Sequence, residues 1–255
     1  MKINLKLNRK KLIPLIIYSV LILLCAIFVI RVAVWEKSYY DSEVGSVRAE
    51  AESTAVEEEE VSEEEPTEEE IAEYTVPADQ PRYLAIESIG LTRSRIISVG
   101  LTSGGAIATS NNIFDVGWYN GSGKPGASKA IVLDGHNGGP TKIGVFKYLP
   151  VVELGAEIKI ETGDGTVYTY EVVKNLELPL TKSEDSDSPI TANPYMATAM
   201  KGLSTTEIAA ANPNLDPSAQ QLTIITCTGE WSDTQKTYLS RQFLHAILVS
   251  VTPAA

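Results

Sequence analysis

Apolar and polar positions divide the chain into three stretches of different texture. Residues 12–30 form an almost unbroken apolar run, with Pro14 near its start and no charge before Arg31. That length crosses a bilayer as one helix, and no polar face interrupts it as one would in a buried core helix. Residues 41–73 are the reverse. Glutamate dominates, in Glu57-Glu58-Glu59-Glu60 and Glu63-Glu64-Glu65, and large apolar residues are few. Such a stretch cannot bury enough surface to offset the entropy of ordering its backbone, so a disordered spacer extended by like charge is expected. From about Val76 onward, short β-prone runs alternate with Gly, Pro, Asn and Asp. Residues 83–86, 96–99, 130–133, 156–162, 166–176, 222–226 and 243–251 read as strands. Gly163-Asp164-Gly165 is a hairpin signal between two of them. Helical patterns are short, at 144–149, 194–202 and 205–211, with Thr205 as a cap for the last. Many short strands and few helices predict a mostly β barrel or sandwich with small helical insertions.

At 255 residues the chain has room for one medium domain and its appendages. The expected organisation is a basic tail at 1–11, a transmembrane helix at 12–34, an acidic flexible linker at 35–76 and a folded domain at 77–255. Lys2, Lys6, Arg9, Lys10 and Lys11 precede the apolar run. A basic flank stays in the cytoplasm and sends the remainder outside. A single-pass protein of the cell membrane is therefore expected, with an extracellular domain. A cleaved signal peptide competes with this reading, but the apolar core is long and no clean small-x-small site follows it. The formal net charge of −12 owes much to the spacer and argues against a nucleic-acid partner.

Candidate chemistry rests on very few residues. The chain has two cysteines, and Cys25 lies within the apolar run. Cys227 is therefore a free thiol on an extracytoplasmic domain, and catalysis is the leading explanation for keeping one there. There are two histidines. His136 follows Gly135 where one β run ends, in Ile131-Val-Leu-Asp-Gly-His136-Asn-Gly-Gly. Arg241 stands just before the last β run. If the runs on either side of 228–240 pair as an antiparallel hairpin, Cys227 and Arg241 become neighbours. A thiol needs a base or cation to become a useful thiolate, an imidazole moves protons, and a guanidinium suits a developing oxyanion. Each residue alone has a plainer reading: a small core hydrophobe, a turn residue, a solvated edge. The three together, in a chain this poor in His and Cys, favour catalysis. With ordinary pKa values of about 8.5 and 6.5, few molecules carry thiolate and imidazolium together, so a bell-shaped pH profile is expected. His245 shares a strand face with Arg241 but lies on the order of 13 Å away and reads as structural. One Cys and two distant His fall short of a zinc set. Glu153, Glu157 and Asp164 could serve calcium, but no ligand loop is legible, so no cofactor is expected.

Leu222-Thr-Ile-Ile-Thr-Cys227 with the downstream Arg241 resembles the Thr-Leu-x-Thr-Cys and Arg signature of the sortases. Gly135-His136, followed by Gly144-Val145-Phe146 and Leu149, is similar to the sortase histidine segment. Val116-Gly117-Trp118-Tyr119 with Gly121-Ser122-Gly123-Lys124-Pro125-Gly126 is also similar to that family. The departures are Ile225, where leucine or valine is commoner, and Asn-Gly-Gly after His136, where bulkier residues are usual. The resemblance, over about residues 81–251, implies a closed β-barrel with short helices. It also implies a membrane-tethered cysteine transpeptidase that cleaves a Leu-Pro-x-Thr-Gly-like sorting signal through a thioacyl enzyme. Cys227 would be the nucleophile and His136 the acid and then the base. Arg241 would hold the substrate backbone or oxyanion, with a hydroxyl hydrogen bond from Thr226. The implied partners are the sorting peptide of a surface protein and an amine of a cell-wall precursor or of a pilin lysine. Pilin-polymerising members often carry an Asp-Pro-aromatic lid and a second membrane helix. Neither is legible here, so an anchoring enzyme with an open groove is expected, bordered by 181–190 and the helical stretch to Ala211. The alternatives are a pilin-polymerising sortase, a membrane-anchored cysteine hydrolase using water, and a non-catalytic stalked binding module.

Overall fold

The structure is a computed structural model that describes residues 61–102, 105–180, 201–234 and 237–254, with Arg31 alone before them. The expected membrane span and the Glu57–Glu60 run lie outside the described residues. Among the described residues, no helix is long and apolar enough to cross a membrane. All of them except Arg31 belong to the unit Thr54–Ala255.

Eight strands close into a barrel in the order β1-β2-β3-β4-β7-β8-β6-β5. They are β1 (Pro81–Ile86), β2 (Leu91–Val99), β3 (Val116–Tyr119), β4 (Ile131–Gly135), β5 (Glu157–Thr162), β6 (Val167–Pro179), β7 (Gln221–Ser232) and β8 (Thr237–Thr252). Neighbours are antiparallel except β2–β3 and β4–β7, which are parallel. Side chains alternate across a strand, so Ile131 and Leu133 of β4, Leu222 and Ile224 of β7, and Leu244 and Ala246 of β8 all enter the core. The intervening residues therefore share the outer face. One buried polar side chain helps lock the barrel. Gln220 accepts hydrogen bonds from Gly126 N (2.8 Å) and Tyr170 Oη (2.9 Å), and donates to the carbonyls of Lys124 (2.7 Å) and Lys129 (2.8 Å). A satisfied amide of this kind fixes a loop without leaving a desolvated group unpaired.

The Gly163–Gly165 turn joins β5 to β6 as expected, with Gly165 at φ 84°. Residues 144–149 do not form the expected α-helix. They make i→i+3 turns running into a 3-10 turn at Leu149–Val151, and Pro150 disfavours a helical residue before it. The helix α2 (Thr205–Ala211) is present, but its cap is Ser204, one residue earlier than expected, in a reciprocal capping box with Glu207. β3, which the run pattern missed, is four buried residues with no alternation to betray it. The residues expected as helix at 194–200 and the groove border at 181–190 lie outside the described residues.

The fold also begins earlier than composition suggests. From Val61 the acidic stretch runs against the barrel, and α1 (Glu68–Glu73) starts with a capping box between Thr67 and Glu70. Its hold is aromatic and basic. Tyr74 Oη donates to Ile96 O (2.6 Å), Arg82 Nε donates to Tyr74 O (2.6 Å), and Tyr83 Oη donates to Ile71 O. The guanidiniums of Arg82 and Arg93 both lie over the Tyr83 ring, at 4.7 and 4.2 Å. Farther back, the Glu63 carboxylate accepts from Thr141 N (2.8 Å), Lys142 N (2.9 Å) and the Thr141 hydroxyl. A segment too polar to fold alone is thus held by hydrogen bonds exchanged with the barrel.

Candidate active site

Strand register joins two members of the expected triad. Cys227 pairs with Arg241 across β7 and β8. On the other side of β7, parallel pairing with β4 matches Gly135 to Thr226. β4 ends there, and His136 is the next residue. The barrel wall therefore pairs thiol with guanidinium across β7 and β8, while the histidine follows the end of the strand on the other side of β7.

The glycine before the histidine is required by packing. A Cβ at Gly135 would lie 2.6 Å from Phe146 Cδ2 and 2.9 Å from Val145 Cγ1. The Phe146 ring is fully buried under the strand end, so it leaves no room for a side chain there. The His136 ring is then held by Nε2–H donating to the Ser110 carbonyl at 2.9 Å. The Ser110 contact lay outside sequence reasoning, because nothing marks a loop carbonyl as a ring partner. His136 lines a cleft of about 820 Å³, with Val61, Ser62 and Glu63 from the N-terminal segment and Trp231 and Tyr238 from the β7–β8 arm. Trp231 and Tyr238 pack edge to face, 5.3 Å between centroids.

Arg241 is only partly buried. Its Nη1 donates to the carbonyls of Tyr238 and Ser240, both at 3.0 Å, and Nη2 donates to Thr237 Oγ1 at 3.2 Å. These bonds brace the guanidinium against its own strand. Cys227 is half-buried and free. Burial pushes its thiol up, the Arg241 charge opposes this, and the Asp134 carboxyl adds to the rise. Asp134 was not anticipated from the sequence. Burial pushes its carboxyl up to about 8, against the pull of Arg241.

The Thr226 hydroxyl, expected beside the thiol, is turned away from it. Thr226 is buried on the inner face, and its hydroxyl donates to Gly135 O at 2.8 Å. Strand alternation explains this, since Thr226 and Cys227 must point to opposite faces. Thr226 instead ties β7 to the residue that carries His136. His245 lies apart from the triad, paired with Thr223 on β7, with Nδ1 3.1 Å from Thr223 Oγ1 and its ring stacked on Phe243. Burial lowers its pKa to about 4, so it stays neutral.

Among the described residues, no three acidic, histidine or cysteine side chains gather as a metal set. Two of the calcium candidates are engaged elsewhere. Glu157 lies 3.8 Å from Lys159 Nζ, and Asp164 Oδ1 accepts from Thr162 Oγ1 (2.6 Å) and Thr166 N (2.9 Å).

A closed barrel with a thiol and a guanidinium on paired strands, and an imidazole just past the end of the strand on the thiol's other side, has the parts of a cysteine acyl-transfer enzyme. The sortase domain family model matches residues 84–249. The chain belongs to the sortase family, whose members are cysteine transpeptidases. No curated protein matches the sequence. Among solved structures, it is similar to the SrtA sortase from Actinomyces oris (16% identity, 71% of this chain and 86% of that one, TM-score 0.45). It is also similar to sortase A from Corynebacterium diphtheriae (21%, 70% and 66%, 0.41) and to sortase C from Streptococcus pneumoniae (14%, 84% and 90%, 0.42).

Proposed function

We propose that this chain is a membrane-tethered sortase that cuts a Leu-Pro-x-Thr-Gly-like sorting signal and transfers the acyl part to a cell-wall amine. The observation that carries this reading is the double register on β7: Arg241 opposite Cys227 on one side, and Gly135, which precedes His136, opposite Thr226 on the other. The Cys227 sulfur, as thiolate, attacks the threonine carbonyl carbon. The tetrahedral oxyanion is held by Arg241, and the C–N bond to glycine breaks as His136 gives the departing amine its proton. A thioester on Cys227 remains. An incoming amine attacks it, His136 accepts the amine proton, and the thiolate leaves as the new amide forms. The raised thiol and the small thiolate fraction it leaves near neutral pH agree with a slow enzyme. The apolar span at 12–34 supports the tether, with the catalytic domain outside the cell.

The experiment is mass spectrometry of the protein incubated with candidate sorting peptides, with and without an added amine. A peptide adduct on Cys227, resolved to an amide only when amine is present, is the expected result. Acid product regardless of amine would make the chain a hydrolase, and ligand binding that survives alkylation of Cys227 would make it a binding module.

A further inference from the structure

We propose that Asp134 is a specificity-determining residue whose carboxyl reads a hydroxyl- or carboxamide-bearing side chain in the acyl-donor peptide, upstream of the bond that Cys227 cuts. The inference rests on the transpeptidase reading above and goes beyond it to the peptide's chemistry.

Asp134 stands on the outer face of β4, two residues before His136. Its register partners are Gly117 on β3 and Ile225 on β7, and beyond Ile225 lies Phe243 on β8. Gly117 has no side chain, and neither Ile225 nor Phe243 can hydrogen-bond a carboxyl. Asp134 Oδ1 is accordingly the one enclosed side-chain oxygen or nitrogen, among the described residues, with no hydrogen-bond partner. A desolvated polar atom left unpaired is a standing penalty, and natural structures keep few of them.

This one lies beside the triad. Ile225 is two residues before Cys227 on the same face, so Asp134 sits roughly 7 Å back along the wall from the nucleophile. An extended peptide acylated at Cys227 covers that distance in about two residues. The carboxyl also feels both site residues, drawn down by Arg241 and raising Cys227 in turn. Although Oδ1 is enclosed, Asp134 as a whole keeps an exposed edge. The Cβ–Cγ torsion of an aspartate is broad and nearly two-fold, so a small rotation presents either oxygen to a peptide at that edge.

The chemistry of the reader sets the chemistry of what is read. A buried carboxyl that keeps its proton near neutral pH both donates and accepts, and a hydroxyl or carboxamide answers both needs. An apolar side chain leaves the oxygen orphaned. An ammonium or guanidinium donates only, and brings a second cation toward Arg241.

The test uses the full chain and Leu-Pro-x-Thr-Gly-type peptides. Each of the three residues before threonine is replaced in turn by Ser, Asn, Leu or Lys. The rate of Cys227 adduct formation is compared within each variant, so a general loss of active enzyme cancels. The wild type is expected to favour Ser or Asn over Leu and Lys at one position by roughly 10- to 100-fold. Asp134→Asn should keep most of that ratio, and Asp134→Ala and the near-isosteric Asp134→Leu should bring it close to one. Either apolar variant suffices if the other fails to fold. A wild type without polar preference at any position overturns the assignment, as does a preference that survives in Asp134→Leu, and both leave the transpeptidase reading standing. No adduct from any peptide, while iodoacetamide still modifies Cys227, defeats that reading and this inference together.

Discussion

Cys227 and Arg241 are registered cross-strand partners, Cys227 midway along β7 and Arg241 opposite it on β8. The cation favours the thiolate and opposes the effect of burial. Arg241→Ala should therefore move the pH midpoint for iodoacetamide alkylation of Cys227 upward, and lower peptide turnover by roughly 10²- to 10³-fold. Arg241→Lys should restore the alkylation midpoint better than the turnover, because a point charge lacks the planar fork. An unmoved midpoint in Arg241→Ala would remove the arginine from the site.

Asp134 links protonation to stability. Its folded-state pKa is raised to about 8, above the usual carboxylate value. The native state therefore holds a proton that the unfolded chain releases, and stability falls as pH climbs from about 4 through 8. Asp134→Asn keeps the shape without the ionisation. Its melting temperature should gain on the wild type by several degrees at pH 8 and by little at pH 4. A constant difference across that range would contradict the burial described for the carboxyl.

His245 acts at the other end of the scale. Burial lowers its pKa to about 4 from 6.5. The unfolded chain takes up a proton first, so stability drops as pH falls from 6.5 toward 4, by up to about 3 kcal/mol. His245→Gln should flatten the acid side of the melting curve and leave the pH profile of turnover in place. Loss of turnover comparable to that of His136→Ala would reassign the proton carrier.

Gly135 leaves the space that the Phe146 ring fills. Gly135→Ala overpacks that point, a change worth about 1–3 kcal/mol, and it displaces the strand end that carries His136. The expected outcome is a melting temperature lower by a few degrees, with turnover reduced far more than the lost folded fraction accounts for. Normal turnover would show that His136 does not depend on that strand end.

Glu63 anchors the N-terminal segment beside the His136 cleft through three bonds from Thr141 and Lys142. Glu63→Ala should speed limited proteolysis ahead of α1 several-fold without changing the barrel's melting temperature by more than a degree or two. Unchanged cleavage would mean that the aromatic and basic anchors at Tyr74 and Arg82 carry the attachment alone.

What the sequence disclosed follows from what local pattern can encode. Alternation and turn residues exposed most strands, and the Cys227–Arg241 pairing followed from one assumed hairpin. β3 escaped because a strand buried on both faces has no alternating signature. Thr226 suggests a role beside the thiol by chemical type, but strand alternation puts it on the opposite face from Cys227. The acidic segment from Val61 reads as spacer because its partners, Tyr83, Arg82 and the 141–142 backbone, lie elsewhere in the chain. Asp134 was invisible for a related reason. Its isolation exists only once Gly117, Ile225 and Phe243 are brought around it.

The parallel pairing of β4 with β7 also constrains how the enzyme comes into being. Gly135 and Thr226 touch although 91 positions separate them, and everything from β5 through α2 must be laid down between them. Long-range pairings of this kind form slowly and late. A nascent or truncated product carries His136 well before it carries Cys227, and the register that sets Cys227 against Arg241 exists only once the final two strands dock.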